Sequence, residues 1–409
     1  MRHHALGVRM TEIKIASALA EQLSAPDAPQ EHRIIVRYRA DLTASRRPLA
    51  GRGAQARHFT LLAAAAMRAS ASQIRELAAS DEVERIWPDL RVYTCLDATA
   101  VQIRAPHVWD AGFTGRGVSV AVVDTGIDPG HPDFAGRIMA MHDLTGEGVR
   151  DVHGHGTHVA GIVAGAGNRY KGIAPEANIY VVKVLHQDGS GYMSEVMAGL
   201  EWAVEQGVRV INLSLGGIGP CDGTDALSTT CDAAVDHGVM VCVASGNYGP
   251  GASTVGPPGC ARKPLTVGAC SKDDTIASFS ARGPTSDGRV KPDILMPGVD
   301  IVSCRAQGTS LGSPVDALYT KSSGTSMATP HAAGACALLL EAFPTLTPAE
   351  LKARLMDTAL DLGLDGNAQG SGRGDAYQAY HGTPSPSPPT PPPPPGCLLS
   401  ALQFLFSSR

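Results

Sequence analysis

Residues 117–124 read GVSVAVVD. The run is too short for a buried helix and too uniformly apolar for a strand with one wet face, so it predicts a fully buried β-strand. Three further runs repeat it: ANIYVVKVL at 177–185, VRVINLSLGG at 208–217 and VMVCVASGN at 239–247. Between them lie helical stretches: HVAGIVAGAG at 158–167, MSEVMAGLEWAVEQG at 193–207 and CDAAVDHG at 231–238. Apolar strands alternating with helices predict an α/β fold, a doubly wound and mostly parallel sheet with helices on both faces.

The 409 residues are 43% hydrophobic and 18% charged with a net charge of -5, which allows a large core and argues against nucleic acid as a partner. The charge is uneven. Residues 31–91 hold eleven Lys/Arg against seven Asp/Glu, whereas residues 92–409 hold 20 against 29. Segments of opposite sign are suited to docking on one another. No apolar run is long enough to predict a transmembrane segment. Of the nine cysteines none forms a C-x-x-C pair, so structural zinc is not expected. Cys221, Cys231 and Cys260 lie in or near Gly/Pro-rich loops that can hold a disulfide, and Cys242 and Cys336 sit in apolar runs as buried thiols.

Residues 1–32 read as a flexible leader without the apolar core of a secretory signal. In 33–92, RIIVRYRADL and VERIWPDLRVY have strand character and HFTLLAAAAMRASASQIRELAAS has helical stretches, a small α+β domain. Residues 90–106, LRVYTCLDATAVQIRAP, carry no clear periodicity. The α/β domain is expected over 93–380. PSPSPPTPPPPPG closes a Pro-rich linker over 381–396, and residues 397–409 form a short apolar tail.

Ligands of open parallel sheets sit at the carboxyl ends of the strands, so the polar residues that stop these strands are informative. The first strand stops at Asp124, the third at Asn212 and Ser214, the fourth at Asn247. Each alone reads as a cap or turn residue; three in succession point to a shared site. In DVHGHGTHVAG, residues 151–161, His155 precedes a small-residue helix and His158 lies on it. His153, His155 and His158 are also the donors a zinc site would use, but glycines 154 and 156 and the lack of an H-E-x-x-H spacing disfavour that reading. In SSGTSMATPH, 322–331, Ser326 opens an apolar helix, where a serine is either a helix cap or a nucleophile whose oxyanion the helix amides would favour.

Asp124, His155 and Ser326 follow in the chain order Asp-His-Ser. The stretches AVVDTGID, GHGTHVAGIVAG, SLGG, ASGN and SSGTSMATPHAAG, spread over roughly residues 102–360, resemble the signature blocks of subtilisin-like serine endopeptidases. The resemblance implies Ser326 as nucleophile, His155 as general base and Asp124 as its orienting carboxylate. It implies Asn247 as an oxyanion donor beside the Ser326 amide. Ser214, Leu215 and Gly216 on one side and Gly189, Ser190 and Gly191 on the other would bracket an extended peptide. A pocket between Asn247 and Gly256, with Tyr248 and no acid in it, suits apolar or aromatic side chains before the cleaved bond.

The basic α+β domain resembles the family's inhibitory propeptide, and cleavage of the chain by itself is expected around 90–98. No catalytic cofactor is implied. Structural calcium is common in the family, and Asp133 in GHPDF matches a calcium ligand; the loop AGAGNRYKG at 164–172, however, is short, lacks an acid and carries Arg169 and Lys171. Expected partners are protein and peptide substrates and the chain's own propeptide, with the enzyme a monomer. The family favours secretion; the N-terminus favours the cytoplasm. Two rival functions stand beside this one: a silent member that only binds extended peptides, and a metal-dependent hydrolase.

Overall fold

A computed structural model describes residues 14–25, 29–39, 56–59, 63–89 and 99–382. It divides into two compact units, residues 1–94 and 95–409. The expected cleavage stretch 90–98, the Pro-rich linker and the apolar tail lie outside the described residues.

The first unit runs α1 (Ser17–Ser24), β1 (His32–Tyr38), β2 (Arg57–Phe59), β3 (Ala64–Ala69), α2 (Ala71–Ala79) and β4 (Val83–Pro88). Its sheet has the order β2-β3-β1-β4 with antiparallel neighbours. Alternate residues of β1, Ile34, Val36 and Tyr38, face inward, as a two-residue period requires, and share a core with Ile74, Leu77 and Ala78 of α2. A capping box starts α2: the Ser70 side chain accepts from the Gln73 amide, and the Gln73 side chain accepts from the Ser70 amide.

The second unit opens with α3 (Thr99–Gln102) and α4 (Ala105–Asp110). Over the described residues 99–106 these correct the expectation, drawn from the lack of periodicity, of no regular structure. Ile103, Ala105 and Val108 are fully buried, Pro106 sits in the first turn of α4, and Arg104 at φ 57 separates the two short helices. Strands and helices then alternate: β5 (Ser119–Asp124), β6 (Ile138–Asp143), α5 (His155–Ala164), β7 (Asn178–Lys183), α6 (Met193–Glu205), β8 (Val210–Leu213), α7 (Ala226–Asp236), β9 (Met240–Ala244), β10 (Leu265–Cys270) and β11 (Ile294–Pro297). A three-stranded antiparallel sheet of β12 (Ile301–Cys304), β13 (Ser313–Pro314) and β14 (Tyr319–Ser322) precedes α8 (Thr325–Ala342). The short helices α9 (Pro348–Asp357), α10 (Gly366–Gln369) and α11 (Ala376–His381) follow.

The central sheet has seven strands in the order β11-β10-β9-β8-β5-β7-β6, every neighbouring pair parallel. Val120 and Val122 of β5 join the core under α5 and α8, while Ala121 and Val123 join the core under α6 and α7. Burial on both faces is why the sequence of this strand is continuously apolar. α8 is buried along most of its length, Met327 to Leu340, which explains why it is apolar all round. α5 begins at His155, earlier than its apolar run suggests. α7 begins at Ala226, because the Asp225 side chain caps it by accepting from the Ser228 amide.

β5 lies between β7 and β8: from β5 the chain goes out to β6 and back to β7 on one side, then crosses to β8 on the other, so the strand order reverses at β5. The crevice belongs there.

Candidate active site

Register brings the strand ends together. Asp124 pairs with Lys183 and Val122 with Asn212, and Asn212 pairs with Cys242, so β5, β7, β8 and β9 end at one edge. Asp124 is fully buried, and its Oδ1 accepts from the Thr125 amide at 2.7 Å and from His155 Nδ1 at 2.7 Å. A carboxylate only accepts, so His155 carries its proton on Nδ1 and leaves Nε2 as the free base. Burial alone would lower the His155 pKa. The charge and hydrogen bond of Asp124 and the charge of Asp151 outweigh it and hold the pKa above the ordinary value.

His155 is fixed by a second carboxylate. Asp151 is buried, and its Oδ1 accepts from Thr125 Oγ1 at 2.9 Å, the His153 amide at 3.1 Å and the Gly154 amide at 2.7 Å. Its Oδ2 accepts from the Thr157 amide at 2.8 Å and Thr157 Oγ1 at 2.7 Å. Thr125 Oγ1 accepts in turn from the Gly156 amide at 2.8 Å, so the turn after Asp124 and the first turn of α5 are one hydrogen-bonded unit. The close approach needs Gly126: at φ +105, a Cβ there would lie 2.4 Å from the Val149 carbonyl. Sequence reading missed Asp151 and Thr125. The available signal was Asp151 four residues ahead of His155 in a loop entering a helix, the pattern of a side chain that satisfies free amides.

Ser326 is the second residue of α8, and its Oγ donates to the Ser214 carbonyl at 2.9 Å. Asn247 Oδ1 accepts from the Thr325 amide at 2.9 Å and from Thr325 Oγ1 at 3.0 Å. Both are donors, which orients the amide so that Nδ2 is the group left for the cleft. Asn212, in contrast, is buried and donates to Ser214 Oγ at 2.9 Å, and Ser214 Oγ donates to the Ser326 carbonyl at 2.8 Å, so Asn212 braces the site from below.

The cleft over these groups has a volume of about 620 Å³. His155, Asn247 and Ser326 line it, with Gly189, Ser190 and Gly191 on one edge, Ser214, Leu215 and Gly216 on the other, and Gly256 in the wall. Leu215, Leu227, Ala244 and Gly246 make much of the remaining surface, and Asp188 is the one acid among the lining residues. A disulfide joins Cys221 to Cys260, behind the two loops that contribute Ile218 and Gly256. Cys231, Cys242, Cys270, Cys304 and Cys336 are free and buried.

The three histidines do not converge as a metal site. His158 is fully buried and turned away, its Nε2 donating to the Ile301 and Thr320 carbonyls at 3.1 and 3.2 Å, and burial pushes its pKa down to about 3.

The surroundings of Asp133 do not fit calcium either. Calcium takes six to eight oxygen ligands. The buried Asp133 carboxylate instead accepts from Tyr319 Oη at 3.1 Å and lies 3.5 Å from Cys304 Sγ. The neighbouring carbonyls that would complete a calcium shell face a guanidinium: Arg137 donates to the Ala164 carbonyl at 2.5 Å and to the Asp133 carbonyl. This corrects the expectation of Asp133 as a calcium ligand. A side-chain cation fills the place at the carboxyl end of α5.

The model of the subtilase family matches residues 115–374. Serine protease AprX of Bacillus subtilis (strain 168) is 41% identical over 306 residues, 68% of this chain and 69% of its own. Subtilisin E of the same organism is 42% identical over 268 residues, 64% of this chain, which thus spans 65% of that relative's length. Among solved structures, a cold adapted subtilisin-like serine proteinase is 34% identical with a TM-score of 0.54, covering 64% of this chain and 88% of that one.

Proposed function

The chain belongs to the subtilase family of serine peptidases, and from that membership we propose that it cleaves peptide bonds through Asp124, His155 and Ser326 by way of an acyl-enzyme. The observation that carries this reading is the 2.7 Å bond from His155 Nδ1 to the buried Asp124, at the mouth of a cleft that Ser326 and Asn247 share.

His155 Nε2 takes the proton of Ser326 Oγ as the hydroxyl attacks the scissile carbonyl, and gives it to the leaving amine. Asp124 stabilises the imidazolium without taking the proton. Asn247 Nδ2 and the Ser326 amide meet the oxyanion. The two edges of the cleft hold the substrate as an added strand, where main-chain hydrogen bonding gives affinity for many sequences. Leu215, Ala244, Gly246 and Gly256 supply an apolar wall, which supports a preference for apolar or aromatic side chains before the cleaved bond. No step calls for a cofactor, and one chain completes the cleft, as a monomer requires.

The basic unit over residues 33–92 serves in this reading as an inhibitory propeptide, removed by cleavage around 90–98; its own core and separate fold support that role. The Cys221–Cys260 disulfide supports an oxidising destination and thus secretion. Among the described residues no helix is long and apolar enough to cross a membrane.

Intact mass tests the reading. Wild type and Ser326→Ala are weighed before and after a fluorophosphonate. Loss of about the first ninety residues and gain of one adduct in wild type alone is the expected result. A wild type that stays full length and unlabelled while folded overturns it and favours the rival that only binds peptides.

A further inference from the structure

His186 stands at the start of the Gly189–Gly191 edge with both ring nitrogens facing carboxylates: Nδ1 is 3.0 Å from Glu147 Oε1, and Nε2 is 3.3 Å from Glu195 Oε1. A neutral imidazole has one N–H and satisfies one of these; the imidazolium satisfies both. The two glutamates are also what pin the edge. Glu147 Oε2 accepts from the Gln187 amide at 3.0 Å, and Glu195 Oε2 accepts from the Tyr192 amide at 2.8 Å, so they hold the segment at its two ends. Between those points the His186 amide donates to the Ser190 carbonyl at 2.7 Å and the Gly189 amide donates to the His186 carbonyl at 2.9 Å. Gly189 takes φ +80, and a Cβ there would lie 2.9 Å from His153 Nε2, so the edge has little room to shift.

We propose that His186, as an imidazolium gripped between Glu147 and Glu195, is a positioning residue that holds the Gly189–Gly191 edge against the bound peptide, so that peptide affinity falls as the imidazolium loses its proton. The inference rests on the reading of that edge as one side of the peptide cleft.

The charged groups around His186 agree with the sign. Glu147 reaches it from the loop after β6 and Glu195 from the first turn of α6. On its own loop, Asp188 accepts from the Ser190 amide and hydroxyl and adds negative charge nearby. Among the described residues the cation facing the group is buried Lys183 at the end of β7, 3.6 Å from Glu147 Oε2, and its Nζ also donates to the Thr125 and Leu185 carbonyls. Asp143 stands beyond it at the end of β6 and interacts with that cation. The hydrogen bond to Glu147 raises the His186 pKa above its ordinary value; desolvation opposes it, and the charges of Glu195 and Glu147 with the hydrogen bond to Glu195 add to the rise. The clamp is therefore complete below that raised pKa and is released as pH climbs through it. Catalysis has the opposite sign, because His155 must be neutral to act as base. kcat rises through the His155 titration, while KM worsens through that of His186.

The test compares wild type, His186→Gln and His186→Arg on one extended chromogenic peptide between pH 6 and pH 9.5. Wild type is expected to show KM rising about two- to five-fold across the alkaline half, the size an exposed ion pair supports, with kcat level there. His186→Gln has the higher KM throughout and no alkaline rise; His186→Arg, with a cation at every pH, keeps the low KM. The same alkaline rise in all three, or none in wild type, overturns the inference. Amide hydrogen exchange of residues 186–192, corrected for intrinsic rates, reads the clamp without turnover. Faster exchange at pH 9 in wild type but not in His186→Arg supports it, and identical behaviour refutes it. A wild type that hydrolyses nothing would sink the peptidase reading, and exchange would still decide on the clamp.

Discussion

Replacing Asp151 by Asn removes one charge from a buried carboxylate that accepts five hydrogen bonds. The amide oxygen can keep the bonds from Thr125 Oγ1, His153 and Gly154. The amide nitrogen then faces Thr157, whose hydroxyl can turn and accept but whose backbone N–H cannot. One buried N–H loses its partner and three bonds lose their charge assistance, a cost of about 2–4 kcal/mol. At roughly 2–4 °C per kcal/mol for a domain of this size, Asp151→Asn should lower Tm by about 4–16 °C in scans at one fixed rate. Asp151 is also one of the charges that hold the His155 pKa up. Without it His155 loses its proton more easily, and the acid limb of kcat/KM moves to lower pH. Differential scanning calorimetry and a pH profile on one peptide substrate measure the two effects. A variant with Tm within about 1 °C of wild type and an unmoved acid limb would refute the claim that Asp151 ties the β5 turn to the His155 helix.

Two other outcomes follow from the same geometry. Asn247→Leu removes the donor at Nδ2 together with the Oδ1 acceptor of the Thr325 amide and hydroxyl, and kcat should fall by at least about 10²–10³, the loss that removal of one oxyanion donor causes in subtilisin, with a smaller change in KM; an equal rise in KM would mean that the residue serves ground-state binding. Arg137→Leu strips the Ala164 and Asp133 carbonyls of their donor and should lower Tm by several degrees equally in calcium and in chelator, whereas restoration by millimolar calcium would show that the place is a calcium site after all.

The parts of this molecule that could be read from sequence are those set by local pattern. The apolar runs of β5, β8 and β9 are continuous because both faces of the sheet are covered, and the polar residue ending each run marks the crevice. Asp124 and Asn247 stood out for that reason, whereas His155 and Ser326, which open helices, stood out through the Asp-His-Ser order and the resemblance of the blocks around them. What escaped depends on partners far along the chain. The fate of Asp133 is decided by Tyr319, 186 residues away, and Cys304, 171 away. The choice of Cys260 for Cys221 over Cys231 depends on how the loops fold back, 39 residues apart. Asp151 and His186 were legible as residues but not as roles, since a cap, a turn and an ion pair leave no periodicity. The helices at 99–110 escaped because each is too short to show a repeat.

The Ser326 hydroxyl donates to the Ser214 carbonyl, and the position of that bond sets the state of the resting molecule. The Ser214 carbonyl lies on the edge along which a peptide would lay its own N–H groups. In the proposed reading an arriving strand would share that oxygen, which has two lone pairs, and the weakened bond would leave the hydroxyl freer to turn toward the imidazole. With the cleft empty, the nucleophile is parked on its own backbone. On that reading occupancy would act as an interlock, with the groove filled first and the reagent armed second, by the thing it is about to cut.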